Sequence, residues 1–499
     1  METTIKQQQQ KPHIVIFPSP AMGHLIPLSE FAKRLVLTHN FSVTFIIPNF
    51  GFPIKSQKSF LDSSMPKTIQ VLYLPPPPPL ADVPSDADPS FFVITAMTRA
   101  VPALRDSLKL LTESTRLVAL IVDVVGTDSF EVAREFNLLR YIFVPLCAMS
   151  LSLLLHLPKL DEEAEAQGYS DYKDIPDPIK IPGCLPIRGT QLVNVMQNRN
   201  THTYKLFIHH TKRYNLADGI IVNSFLELEP RAFNAFVDKE EDGSGKKPPV
   251  YPIGPVLQTR PTSGNDDEVE CLRWLDEQPR GSVLFASFGS SGTLSQEQLT
   301  ELALGLEMSE QRFIWVLRCP AKDGASGVHY NAQSINKDDD PFDFLPKGFM
   351  ERTRRGGLGL LVRSWAPQIQ ILSHVSTGGF LSHCGWNSIL ESLVNGVPLI
   401  AWPLFGEQEM HTEMLTKQFK IAFRPKKNEE DGLVGREEIA KLVRDLILGE
   451  GGKPLQQKAR ELKELAATTT CEHGSSAKSL AQVIQIWKNH ETIMPSHPL

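Results

Sequence analysis

The sequence predicts an α/β protein of two doubly wound parallel-sheet domains, on three observations. Short β-branched runs alternate with amphipathic stretches through the first half of the chain. That rhythm breaks after Val250, where Tyr251 to Glu268 is rich in Pro, Gly, Ser and acidic residues and has no period. It restarts at Ser282 and continues to Pro425. Alternation of this kind covers both faces of a parallel sheet with helices, and an aperiodic polar stretch between two such runs reads as a linker.

Taken in order, the first run contains HIVIFP from His13, SVTFIIP from Ser42, IQVLYL from Ile69, LVALIVD from Leu117, YIFVP from Tyr141 and GIIVNS from Gly219. Segments between them, such as LIPLSEFAKRLVL from Leu25, space apolar residues at the helical period. Leu74 to Ser90 includes LPPPPPL and must run extended, because proline fixes φ and removes a donor. The second run contains SVLFASF from Ser282, RFIWVL from Arg312, LGLLV from Leu358, GGFLS from Gly378, PLIAWP from Pro398 and IAFRP from Ile421. Cys319 to Pro341 is too long and polar for a plain connection and reads as a surface insertion or flap. Two Rossmann-like sheets joined near residue 260 are the economical arrangement. Such sheets bind ligands beyond the carboxyl ends of their strands, so the domains are expected to face each other across a cleft that holds the site.

Composition removes several function classes. The 499 residues allow two or three domains, each with its own core, and 41 % hydrophobic with 22 % charged residues suits a soluble enzyme. A net charge of -6 without a basic block argues against nucleic acid. The first residues, METTIKQQQQKPHIVIFPSP, lack the apolar core of a signal peptide, and nowhere do 18 apolar residues run together, so a cytoplasmic chain without membrane insertion is expected. The six cysteines show no CxxC spacing, which argues against a zinc module or a disulfide framework.

The densest chemistry lies at His383 to Ser392, HCGWNSILES, where the strand GGFLS hands over to the helical ILESLVNG. Ser388 with Glu391 matches an S-x-x-E capping box, and on that pair alone a plain helix start is the simpler reading. A helix N-terminus, however, presents unpaired N–H groups and partial positive charge, a natural seat for phosphate. Asn387, Ser388 and His383 add donors, Gly385 allows close backbone approach, and Trp386 suits such a turn best if it walls a ligand.

Trp365 to Gln408, WAPQIQILSHVSTGGFLSHCGWNSILESLVNGVPLIAWPLFGEQ, resembles the signature box of plant family-one UDP-glycosyltransferases. The resemblance extends over nearly the whole chain, through GHLIP at Gly23, VNSFLELEP at Val222 and SFGSSGTLS at Ser287, and its flavour is that of the hydroquinone glucosyltransferase group. It implies the GT-B type of fold: an acceptor-binding domain over residues 1–253, a linker over 254–268, a UDP-sugar-binding domain over 269–475, and a last helix within 476–499 packing back on the first domain. It also implies UDP-glucose as co-substrate, with no cofactor and no metal, and a monomer. Trp365 would stack on the uracil, with Gln368 and the Ala366 backbone on its polar edge, although a core tryptophan before a turn would look similar. Glu391 would accept both ribose hydroxyls. His383, Asn387, Ser388 and Ser290 would hold the diphosphate, with Ser19 and Trp386 also at the donor. Glu407 and Gln408 would read the sugar, Gln408 pointing to glucose; a solvated helix start is the alternative for GEQ.

Transfer to a phenolic hydroxyl, with a pKa of about 10, requires a general base, and histidine has the right range. His24 follows the first strand directly, at the edge where ligands bind; a helix-cap role is the alternative, and its match to the family's catalytic histidine favours the base. An imidazole acting so wants a carboxylate on its far nitrogen. Asp123 ends the strand LVALIVD, Asp128 is the rival, and resemblance to the family's VVD pattern selects Asp123. Single displacement with inversion follows, giving a β-O-glucoside.

Other features are weighed against this. The acids at Asp86 and Asp88 and at Asp338 to Asp340 match a D-x-D metal pattern but lie in loop-like stretches, where solvated acids are commoner. Phe91, Phe92, Met149 and Leu153 are candidates for an aromatic acceptor slot, though apolar residues so spaced also read as core. The chain departs from the family it resembles at Ala21, where relatives often have Gly, at Ser291, where close relatives have Gly, and at His411, where an Asn is common. A dehydrogenase would need G-x-G-x-x-G after the first strand, which FPSPAMGHLIP does not supply; a non-catalytic nucleotide-sugar binder would have no use for His24 and Asp123.

Overall fold

The computed structural model describes residues 10–49, 55–78, 80, 82–237, 247–258, 266–290, 292–320, 327–328, 342–363 and 365–491. The chain divides into two compact units. The first comprises Met1–Thr190, Val195–Thr259 and Thr468–Leu499, and the second Gln191–Asn194 and Arg260–Ala467.

In the first unit β1 (Pro12–Phe17), β2 (Ser42–Ile47), β3 (Ile69–Tyr73), β4 (Arg116–Val122), β5 (Leu139–Val144), β6 (Gly219–Val222) and β7 (Val250–Pro252) form one sheet in the order β3-β2-β1-β4-β5-β6-β7. Neighbours are parallel throughout. The β-branched runs became strands, the central ones with both faces covered: β1 and β4 are apolar and buried along almost their whole length, whereas the edge strand β3 leaves Leu72 and Tyr73 exposed. The strand β7 is a correction: Tyr251 and Pro252 read as the start of a linker, yet they extend the sheet, a pairing too short to leave a period. From β1 the chain builds outward to β3 and re-enters on the other side at β4. The boundary between β1 and β4, with Phe17 opposite Val122, is therefore the topological switch point where ligands of such sheets bind.

The final helix, Ser475–Asn489, belongs to this unit. Trp487 is fully buried and lies edge-on to Phe31, Phe41 and Tyr141, at centroid distances of 6.3, 6.0 and 5.1 Å. Truncating such an indole costs about 3–5 kcal/mol, enough to hold a terminal helix that would otherwise fray.

The second unit contains β8 (Val283–Ser287), β9 (Gly292–Thr293), β10 (Arg312–Leu317), β11 (Gly327–Val328), β12 (Gly359–Arg363), β13 (Thr377–Ser382), β14 (Leu399–Ala401) and β15 (Ala422–Phe423). Six of them form a parallel sheet ordered β12-β10-β8-β13-β14-β15. The strands β9 and β11 pair antiparallel, so part of the polar excursion after Cys319 is strand. Here the switch point lies between β8 and β13, with Ser287 opposite Ser382. Among the described residues no helix is long and apolar enough to cross a membrane.

Candidate active site

At the first unit's switch point, the loop after β1 carries Ser19 and leads into the helix Met22–His39, whose N-cap is Ala21 without a side-chain cap. Ala21 has φ −63°, so the departure from glycine there costs the backbone nothing. His24 lies in the first turn of the helix, and Asp123 follows β4 on the neighbouring strand. His24 Nδ1 is 3.2 Å from Asp123 Oδ2 and 3.2 Å from Ser19 Oγ. Ser19 N donates to Asp123 Oδ2 at 2.8 Å, and Val125 N to Asp123 Oδ1 at 3.3 Å. Asp123 is fully buried, whereas the His24 side chain remains 22 % exposed. Burial opposes ionisation of Asp123, but the hydrogen bond and charge of His24, helped by Ser19, outweigh it and hold the carboxyl below its ordinary range. A carboxylate on Nδ1 favours the tautomer that leaves Nε2 as the lone pair. Asp128, the rival, is engaged elsewhere: it accepts from Thr98 Oγ1 at 2.7 Å and lies 2.8 Å from His209 Nε2.

In the second unit the expected donor residues lie along one carboxyl edge of the sheet: Ser290 after β8, Trp365 and Ala366 after β12, His383 after β13, and Glu407 and Gln408 after β14. The helix Trp386–Asn395 starts with Gly385 as N-cap and has no side-chain cap. Ser388 and Glu391 thus lie inside the helix and form no capping box. Gln368 Nε2 instead donates to both, at 2.9 Å to Ser388 Oγ and 2.5 Å to Glu391 Oε2. Glu391 is 9 % exposed, and burial pushes its carboxyl up to about 7 against the pull of that amide.

His383 sits between two glycines. A Cβ on Gly289 would come within 2.4 Å of its Nε2, and one on Gly385 within 2.5 Å, so neither position admits a side chain without displacing the ring. Burial, then the charges of Arg318 and His411, push His383 down to about 4, so it acts at neutral pH as an uncharged group. Arg318 was missed in the sequence; it follows β10 and donates to the Ser290 carbonyl.

Trp386 is 3 % exposed and packs on His411, ring centroids 5.4 Å apart, so its indole supports the loop from within the unit instead of presenting an open wall. His411 Nδ1 lies 2.9 Å from the carbonyl of Cys384, whose φ is +66°. The histidine that replaces the usual asparagine therefore steadies a left-handed turn. Trp365, by contrast, is 46 % exposed, an open indole face beside buried Ala366. Gln408 Oε1 accepts from Leu404 N at 2.8 Å and Phe405 N at 3.1 Å, so its amide orientation is set by the backbone.

Of the acceptor candidates, Phe92 is 37 % exposed and meets buried Phe91 edge-on at 5.6 Å. Met149 and Leu153 are buried in the helix Ala148–Ala166. Asp88 caps the helix Pro89–Arg99 and Asp86 pairs with His202, while Asp338 to Asp340 and Ser291 lie outside the described residues. Among the described residues no cluster of His, Cys, Asp and Glu is arranged to hold a metal.

Residues 263–426 match the model of the family described as UDP-glucoronosyl and UDP-glucosyl transferase. The chain is 52 % identical over 481 residues to the hydroquinone glucosyltransferase of Rauvolfia serpentina, covering 96 % of this chain and 99 % of the relative. It is 47 % identical to UDP-glycosyltransferase 72B1 of Arabidopsis thaliana, covering 97 % and 98 %. Among solved structures, Phytolacca americana UGT2 with UDP-2fluoro-glucose and pterostilbene superposes with a TM-score of 0.84 at 44 % identity, covering 96 % of this chain and 100 % of that one. A Polygonum tinctorium UDP-glucosyltransferase capable of glucosylating indoxyl, in complex with 3,4-dichloroaniline, gives 0.85 at 44 % identity, covering 96 % and 99 %. With two Rossmann-like units of the GT-B type and relatives this similar along their whole length, the chain belongs to the UDP-glycosyltransferase family of enzymes.

Proposed function

We propose that the protein transfers glucose from UDP-glucose to the hydroxyl of a small aromatic acceptor of hydroquinone, indoxyl or monolignol type, with inversion, giving a β-O-glucoside. The observation that carries this reading is the contact of His24 Nδ1 with buried Asp123 at the first sheet's switch point. His24 takes the acceptor proton at Nε2 as the oxygen attacks the anomeric carbon, and Asp123 stabilises the imidazolium that forms. The names of the relatives in Rauvolfia serpentina and Polygonum tinctorium support a phenol-like acceptor.

The donor is assigned to the second unit. Trp365 offers the exposed face for uracil, Gln368 and Ala366 its edge, and Glu391 the paired acceptors for ribose. N–H groups at the start of the helix Trp386–Asn395, with His383, Asn387, Ser388 and Ser290, take the diphosphate and stabilise UDP as it leaves. Gln408, its carbonyl held by two backbone N–H groups, meets the sugar as a donor through Nε2, and Glu407 accepts. The scheme uses no cofactor and no metal, and a cytoplasmic monomer suffices for it. Phe92 is the acceptor candidate with open ring surface, Phe91 supporting it.

The test is UDP release from UDP-glucose with a panel of small hydroxyaromatics, for the parent and for His24→Ala. Loss of turnover with phenols in the variant is expected; turnover at the parental rate overturns the base assignment.

A further inference from the structure

Asp123 is held by more than His24. The end of the helix His202–Lys212 and the turn after it grip the loop that Asp123 begins. Tyr214 donates its O–H to the carbonyl of Val124 at 2.9 Å, fixing the peptide next to Asp123. His210 Nδ1 lies 2.8 Å from Thr127 Oγ1, and Arg213 donates to the Thr127 carbonyl at 3.4 Å. At the exposed end, His209 pairs with Asp128 at 2.8 Å.

His210, Tyr214 and Thr127 are all fully buried. Burying an imidazole and a phenol beside a buried carboxylate is costly unless their geometry is needed, and among the described residues His210 Nε2 has no hydrogen-bond partner. Apolar residues would hold the loop against the helix at less cost. What they would not supply is a fixed carbonyl at Val124 and a fixed hydroxyl at Thr127. Since Asp123 Oδ1 takes its hydrogen bond from Val125 N, the path of this turn sets the carboxylate's orientation.

We propose that Tyr214, Thr127 and His210 are positioning residues for the reaction, holding the turn from Asp123 to Thr127 so that Asp123 stays on His24 Nδ1. This rests on the reading of His24 as the base. Asp123 is bonded by His24 and Ser19 and its charge is felt by His210 and Tyr214, and His210 in turn feels Asp128, His209 and Arg213. Burial pushes His210 down to about 4 and Tyr214 well up, so neither changes charge across the neutral range.

The experiment measures kcat, KM for UDP-glucose and the pH profile of kcat/KM for the parent, Tyr214→Phe, Thr127→Val, Thr127→Ser and His209→Gln. With Asp123 loosened, Tyr214→Phe and Thr127→Val are expected to lose on the order of tenfold in kcat with KM for UDP-glucose unchanged. The acid limb should move to lower pH, because a loosened carboxylate pairs less well with the imidazolium that forms during the reaction. Thr127→Ser, which keeps the hydroxyl, and His209→Gln, at the exposed end, should match the parent. A limb that stays in place while only the thermal midpoint drops makes the segment merely structural and overturns the proposal. His24→Ala, run alongside, separates the failures: parental turnover there removes the base itself, whereas an inactive His24→Ala with an unmoved limb in Tyr214→Phe removes only the positioning role.

Discussion

Gln368 Nε2 donates to Glu391 Oε2 over 2.5 Å, joining the start of one helix to the second turn of another and leaving a carboxyl of pKa about 7 in a largely buried position. A raised carboxyl means that proton uptake accompanies folding. The stability it contributes is present below the ordinary carboxylate range and is lost as pH rises through about 7. Under the proposed donor site nucleotide binding has the opposite sign, because ribose hydroxyls would need the ionised acceptor. We expect KM for UDP-glucose to rise as pH falls through about 7, and Glu391→Gln to flatten that dependence while weakening binding about ten- to a hundredfold. The same variant should melt above the parent at alkaline pH, measured by calorimetry across the range.

His24→Ala is expected to lower kcat on the order of a hundred- to ten-thousandfold with KM for UDP-glucose unchanged, because in the proposed reaction the base acts on the acceptor and not on the donor. Asp123→Asn keeps the shape but presents an amide to Nδ1, favouring the wrong tautomer. Its kcat should fall by a comparable factor, and steady-state kinetics at saturating UDP-glucose check both.

Gly289 has φ +74° and leaves no room between its Cα and His383. Gly289→Ala combines a left-handed strain of about 1 kcal/mol with a clash against the imidazole. The expected outcome is a lower thermal midpoint together with weaker UDP binding, read by calorimetry with and without nucleotide. Binding at parental strength would show that the ring's position is immaterial to the diphosphate.

Gln408→Glu separates two roles of one side chain. A carboxylate oxygen can still accept from Leu404 and Phe405, so the thermal midpoint should hold, while the N–H donor is gone and KM for UDP-glucose should rise about tenfold. A variant with unchanged donor preference, tested also as Gln408→His, would remove the case for reading glucose from this position.

Glu229 accepts N–H bonds from Ala148 and Met149, at 2.8 and 2.9 Å, and the hydroxyl of Ser224, fully within the core. It closes the N-terminus of the helix Ala148–Ala166, where backbone partial charge favours an anion. Glu229→Gln must turn an amide NH2 toward at least one of those donors and is expected to destabilise by about 1–3 kcal/mol, seen in denaturant unfolding.

Much of the architecture could be read before folding. Each β-branched run named in the sequence became a strand, because a strand buried on both faces must be apolar along its length and even the exposed edge strand β3 keeps β-favouring residues, and both are local properties. Val250–Pro252 escaped, being too short to carry a period, and Gly327–Val328 escaped because a two-residue strand exists only through its partner. Most of the donor residues were named from a contiguous box, Trp365 to Gln408, yet their contacts were not legible there. Ser388 and Glu391 looked like a cap and instead lie inside a helix, both reached by Gln368. Trp386 looked like a ligand wall and instead packs on His411.

From composition and period came two parallel-sheet units, and from motif together with the family resemblance came the identity of the chemical groups. Such signals arise among near neighbours along the chain. The meeting of His24 with Asp123, 99 positions apart, the grip of Tyr214 on Val124 and the glycine slot around His383 came only with folding. They depend on which strands lie side by side and in what register, and that is settled by the simultaneous burial of many distant side chains.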